Sequence, residues 1–175
     1  MLCCTPRQWQ ARICHFWRIL AKVALRRQHR RRQRVQPIRT YQTIVAPSDC
    51  DFLGHMNVSR YFAACSDGVL ALQSKLGLTA SDVRTGRALS FAVVHATSDF
   101  KAELSAGDAI YLESSILEIG TKSITFLHQL YRLEDAALAF ETAFKCVLLD
   151  LRTRRATEIP SDVRSVVDAL MDETR

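Results

Sequence analysis

Residues 1–39 contain no aspartate or glutamate, although they hold 11 of the chain's 24 lysines and arginines. The remainder carries 13 basic and all 18 acidic residues, a net charge of −5, so the overall +6 belongs to the N-terminal segment. A nucleic-acid-binding domain places its positive face on the folded body, so no RNA or DNA is expected on this body. Hydroxyl residues are scarce there too, with Thr5 alone before Thr40, which argues against a Ser-rich transit peptide. No apolar run approaches the ~20 residues that cross a bilayer as a helix. The six cysteines (Cys3, Cys4, Cys14, Cys50, Cys65, Cys146) form no C-x-x-C pair and no Cys/His zinc spacing, so no metal is expected. Reduced thiols in a cytoplasmic setting are the default. No glycine-rich phosphate loop, dinucleotide fingerprint or G-x-S-x-G elbow is present, and no cofactor is expected.

What the N-terminal segment does have is an amphipathic pattern. Trp9, Ile13, Phe16, Trp17, Leu20 and Ala24 share one helical face, and a polybasic run from Arg26 to Arg34 follows. Such a helix suits an anionic membrane surface or a targeting signal. A nucleic-acid arm and a dispensable extension are the other readings. The sequence therefore divides into a basic extension, residues 1–38, amphipathic or disordered, and a domain over residues 39–175.

The most informative stretch is Ser48-Asp49-Cys50-Asp51-Phe52-Leu53-Gly54-His55-Met56-Asn57-Val58-Ser59-Arg60-Tyr61. Before it, Thr40 to Pro47 reads as a short strand. After it, Val58, Phe62, Cys65, Val69, Leu72 and Leu76 recur at gaps of four and three, a buried helix with Gly77 as its stop. The polar cluster thus lies where a strand hands over to a helix N-terminus, whose free N–H groups and partial positive charge favour a carboxylate or oxyanion. Asp51 and His55, four positions apart, suit general-base chemistry. The bland alternative is that Asp49 or Asn57 caps the helix, Gly54 supplies a turn and His55 is an ordinary loop residue.

Leu78 to Arg87 reads as a connector with a helical turn opened by Thr79 and Asp82. Four strands follow, over 88–103, 109–119, 123–134 and 137–151. In the first, Phe91, Val93 and His95 fall on one face. Short turns between sequential strands predict an antiparallel meander. Pro160 opens a terminal helix with Val163, Val166, Val167, Leu170 and Met171 on one stripe. One long helix against five antiparallel strands is an α+β layout.

Asp49-Cys50-Asp51, Gly54-His55-Met56-Asn57 and Tyr61 resemble the motif of hot-dog-fold acyl-CoA thioesterases of the 4-hydroxybenzoyl-CoA thioesterase-like group. The resemblance continues through Phe91 to His95, Asp99-Phe100-Lys101 and Gly107-Asp108, and covers roughly residues 40–150. It implies a hot-dog fold, one long central helix wrapped by a five-stranded antiparallel sheet, with a C-terminal helix added. The family's catalytic carboxylate falls on Asp51. The related plant acyl-ACP thioesterases use an Asp and a His four residues apart, which fall on Asp51 and His55. An Asn lying between those two in the plant enzymes is Leu53 here, and a second Asn found in many relatives is Val58.

The expectation is an acyl-CoA thioesterase that releases free acid and CoA. Asp51 acts as nucleophile or general base, and His55 orients it or shares the proton. Gly54, Met56, Asn57, Tyr61 and His95 are the candidate substrate contacts. Asn57 and Tyr61 are better read as shaping the loop than as chemical groups. Lys101 and Arg60 are weaker candidates for a CoA phosphate, and His128 reads as a structural sheet residue. The rivals are a hydratase or dehydratase on the same fold and a non-catalytic acyl-CoA-binding module. A homodimer or homotetramer is expected, because one helix leaves strand edges and a sheet face uncovered.

Overall fold

The structure, a computed structural model, describes residues 37–172; the amphipathic and polybasic readings of the N-terminal extension lie outside them. Among the described residues six strands form one antiparallel sheet: β1 (Ile38–Ile44), β2 (Leu89–Phe100), β3 (Ala109–Ile119), β4 (Ser123–Arg132), β5 (Leu138–Asp150) and the two-residue β6 (Arg155–Ala156). The five long strands run in the order β1-β3-β4-β5-β2, and β6 adds to β5. The central helix α1 spans Val58–Lys75, a short α2 spans Ala80–Arg84, and α3 spans Ser161–Asp172. This is the hot-dog architecture expected from the sequence, with β6 as an addition.

The apolar period of α1 becomes its packing face. Tyr61, Ala64, Cys65, Gly68, Val69, Leu72 and Gln73 are buried against Leu112 and Ile116 of β3, Ile124, Phe126 and Leu130 of β4, and Phe140 and Phe144 of β5 in one core. Burial of such side chains contributes roughly 1.5–3 kcal/mol each. Gly68 permits the helix to come this close. A Cβ there would stand 2.5 Å from Leu112 Cδ2, 3.2 Å from Thr40 Oγ1 and 3.3 Å from His128 Nδ1. The α2 turn has the expected cap, since Thr79 and Asp82 bond each other reciprocally. In α3, Val163 and Val167 are buried but Val166 is exposed, so the terminal stripe is narrower than expected.

Two expectations about the sheet are corrected. The strands do not form a simple meander: β3, β4 and β5 do, but β2 lies at the far edge beside β5, and β3 pairs with β1 instead. Local alternation reports which face a residue takes, not which strand lies beside it. The link from β2 to β3 therefore crosses the end of the sheet. On the way, Lys101 N donates to Ala139 O at 2.7 Å, Met56 N donates to Leu104 O at 2.7 Å, and Gly107 N donates to Val45 O at 2.9 Å.

The second correction is one of phase. Val93 pairs with Cys146 and His95 with Lys145, so Val94 is a bulge without a partner. One extra residue reverses the alternation. Beyond it Ala96, Ser98 and Phe100 stand opposite Phe144, Thr142 and Phe140 on the inner face. His95 thus lies on the face opposite Phe91 and Val93, where its Nε2 is 3.3 Å from Thr97 Oγ1.

Candidate active site

The chain reaches α1 through a tight turn supported from below by the crossing link. After the one-turn 3₁₀ segment Pro47–Asp49, Cys50 and Met56 pair across a two-sided bridge. Within that bridge Asp51 N donates to His55 O at 3.1 Å and Gly54 N donates to Asp51 O at 3.0 Å. Gly54 takes φ +85°, the left-handed region that a side chain disfavours. Met56 is buried beneath the turn, with its N–H on Leu104 O. A buried side chain and a backbone bond therefore fix the turn on the domain.

Asp51 stands at the top of this turn, partly exposed, with both carboxylate oxygens held. Leu53 N donates to Oδ1 at 2.9 Å, and Asn57 Nδ2 donates to Oδ2 at 3.0 Å. A carboxylate offers about four lone-pair directions, so capacity remains for a substrate or an attacking water. Asn57 is also the N-cap of α1, its Oδ1 accepting from Ser59 N at 3.0 Å and Ser59 Oγ at 2.7 Å. The carboxylate therefore sits at the positive end of the helix dipole.

Asp49, two residues earlier, has a different job. Its Oδ2 accepts from Ala46 N at 3.0 Å, its Oδ1 lies 3.1 Å from Arg60 Nε, and its carbonyl accepts from Asn57 N at 2.8 Å. It braces the turn against the first turn of α1. Arg60, a candidate for a CoA phosphate, is thus already paired with Asp49. Lys101, the other, lies 3.9 Å from Asp99 and 3.8 Å from Glu141.

The structure brings Asp51, Gly54, Met56 and Asn57 together, and His55 with them through its backbone. No hydrogen bond joins the His55 side chain to Asp51; only its carbonyl meets the Asp51 N–H. Tyr61 faces inward, its ring 5.2 Å from those of Phe100 and Phe140. Desolvation pushes its hydroxyl pKa up to about 12, against a backbone hydrogen bond at Leu104 that lowers it. Tyr61 is a packed, protonated wall. Three apolar side chains of the turn and helix start are exposed: Phe52, at 96%, Leu53 and Val58. Among the described residues no group of three or more His, Cys, Asp and Glu side chains is placed to hold a metal.

Sequence reasoning missed a second polar array beneath α1. Thr40 Oγ1 is 2.7 Å from Ser114 Oγ, which is 2.7 Å from His128 Nδ1. Thr142, cross-strand neighbour of His128, is 2.7 Å from Ser98 Oγ and donates to Thr97 O at 3.1 Å. These five residues form a row across all five long strands. His128 is fully buried and its Nε2 has no hydrogen-bond partner among the described residues. Desolvation holds its pKa down to about 4, so the ring is neutral at pH 7. Gln73 of α1 was also missed; its buried Oε1 accepts from Phe91 N at 2.8 Å and Ser90 Oγ at 3.0 Å, tying the helix to β2.

Known structures share this layout. A Staphylococcus aureus protein solved in complex with CoA superposes with TM-score 0.73 at 20% identity, over 80% of this chain and 87% of that one. A 1,4-dihydroxy-2-naphthoyl-CoA thioesterase from Synechocystis matches with TM-score 0.64 at 19% identity, over 73% of this chain and 93% of its own. A gentisyl-coenzyme A thioesterase gives TM-score 0.64 at 24% identity, over 73% of this chain and 98% of its own. Residues 45–167 match the family model of the thioesterase-like superfamily, a span that includes the Asp51 turn, α1 and all of β2 to β6. By fold, by motif and by that match, the chain belongs to the thioesterase-like superfamily.

Proposed function

We propose that this protein is an acyl-CoA thioesterase in which Asp51 is the working carboxylate. The observation that carries the reading is the double anchoring of Asp51 by Leu53 N and Asn57 Nδ2 at the N-terminus of α1. As general base, Asp51 takes a proton from water as its oxygen attacks the thioester carbonyl. The C–S bond then breaks, and the CoA thiolate leaves and is protonated. As nucleophile, Asp51 forms an acyl anhydride that water hydrolyses in a second step. In both routes a negative oxygen develops on the carbonyl, where the positive end of the helix is suited to stabilise it. His55 lies within the same turn and is available to carry a proton once substrate is seated, since catalytic hydrogen bonds often tighten only in the complex. CoA as the thiol follows the relatives; the acyl group is left to the assay.

The active unit in this reading lies within residues 39–175 and works as a homo-oligomer. Edge strand β2 carries exposed Val93, Val94 and Phe100, and the resemblance implies edge-to-edge pairing with active sites between copies. Sedimentation at micromolar concentration tests this: a fully active monomer overturns it. The catalytic reading is tested by thiol release across short, long, branched and aromatic acyl-CoAs, with crotonyl-CoA hydration measured alongside. Hydration without thiol release would make the protein a hydratase or dehydratase, and binding without either would make it a non-catalytic acyl-CoA-binding module.

A further inference from the structure

We infer that Asn57 is the positioning residue of this site: one side-chain amide starts α1 and fixes the orientation of the Asp51 carboxylate. The inference rests on Asp51 being the working group, as proposed above, and it goes beyond the sequence reading of Asn57 as a loop or substrate contact. Amide orientation is decided by what surrounds it. Ser59 N and Ser59 Oγ lie 3.0 and 2.7 Å from Oδ1; the backbone N–H is an obligate donor and demands an acceptor there. The NH₂ group must then point the other way, onto Asp51 Oδ2 at 3.0 Å. The backbone closes the arrangement, because Asn57 N is held by Asp49 O at 2.8 Å and Asn57 O accepts from Arg60 N at 2.9 Å. Neither half of the amide can turn without losing a bond at the other.

The functional consequence is directional. The Leu53 N–H bond to Oδ1 is an Asx-type turn closed inside the loop, so it travels with the loop. The Asn57 bond instead references the carboxylate to the helix, the element packed on the core. Losing it leaves Asp51 charged and present but free to rotate, and misplacement of a reacting group alone costs a large part of the rate. Asn is suited here because the site asks for an acceptor toward the helix and a donor toward the carboxylate. Asp and Ser also cap helices well, but Asp has no donor when ionised and the Ser hydroxyl is too short to span to Asp51.

Asn57→Asp and Asn57→Ser therefore keep the cap and remove the donor. Two readouts are needed in the full chain: the split between kcat and KM for the best acyl-CoA, and the melting temperature, with Asp51→Asn measured alongside. The other ionisable groups of the turn and first helical turn (Asp49, Cys50, His55, Arg60) are unchanged in both variants. Expected is a fall in kcat of roughly tenfold or more with KM near the parental value, and a melting temperature close to parental. Asn57→Asp should lose more than Asn57→Ser, because two carboxylates then face each other. Parental kcat in both variants, with Asp51→Asn inactive, would overturn the inference and leave Asn57 as a helix cap only. Parental turnover in Asp51→Asn itself would instead overturn the proposed role of Asp51.

Discussion

The two polar networks of this domain are built from similar groups but answer to different constraints. The Asp49–Asp51–Asn57–Arg60 network at the N-terminus of α1 is partly exposed, and its bonds run mostly between residues within six positions of one another. The Thr40–Ser114–His128 and Ser98–Thr142 row lies beneath the same helix and joins residues from five strands. Water can replace a lost partner in the first network but not in the second. An unpartnered buried polar atom costs about 1–3 kcal/mol, so changes in the row should appear in stability, and changes at Asp51 and Asn57 of the exposed network in turnover.

The sharpest way to break this contrast is at Asp51. Asp51→Asn should lower turnover by roughly a hundredfold or more, the scale for losing a positioned base, with little change in melting temperature. His55→Ala should cost less if His55 only orients, and as much if it carries the proton. A strongly destabilised Asp51→Asn protein would show that the exposed network is structural after all.

Next in size is the acid response of His128. Its folded pKa of about 4 lies below the usual 6.5, so the unfolded chain binds the proton first. Stability is then full above pH 6.5, falls as pH drops toward 4, and is lost by roughly 3 kcal/mol from this group below that. Denaturant unfolding at pH 7 and pH 4.5 measures it, and the dependence should be smaller in His128→Leu. An unchanged slope in that variant would assign the acid sensitivity to other groups.

A smaller effect is expected at Ser114→Ala, which leaves both His128 nitrogens and Thr40 Oγ1 short of a partner. It should cost about 1–3 kcal/mol while leaving kcat near parental. Smallest on turnover is Asp49→Asn, the same chemical change two residues from Asp51. Its ion pair with the half-exposed Arg60 contributes under about 1 kcal/mol, and turnover should stay close to parental. Equal losses at Asp49 and Asp51 would point to a general defect of the loop.

The same contrast explains what was legible in the sequence. The exposed network is local, so Asp51, Gly54 and Asn57 could be read as a turn entering a helix. The helix itself announced its face, because gaps of three and four are decided within one element. The row beneath α1 was invisible, because Ser114, His128 and Thr142 become neighbours only through strand register. His95 was misphased for a related reason: the bulge at Val94 absorbs one residue, and no local pattern marks it. The meander expectation failed where a turn signal at Ser105 to Asp108 marked the end of a crossing link rather than a hairpin. His55 shows the limit of spacing arguments. Four residues bring side chains together on a helix, but Asp51 and His55 bracket a turn, which brings a carbonyl to an N–H instead.

The strand order carries a consequence for how the molecule is made. The two strands synthesised first, β1 and β2, are the two edges of the sheet, while β3, β4 and β5 form its centre. Ile44 waits for Ala109 and Leu89 waits for Asp150. A chain emerging from the ribosome therefore exposes β1, the apolar face of α1 and β2 before any strand exists to receive them. Only the last-made meander has partners close in sequence, so it is the natural nucleus, and the earlier half docks onto it. Ribosome-stalled chains ending before Leu138 should remain protease-sensitive throughout, and protection should arrive in one step once β5 is out. Folding of the domain then waits on its later strands, and the site turn, which precedes them in the chain, is among the parts that must wait.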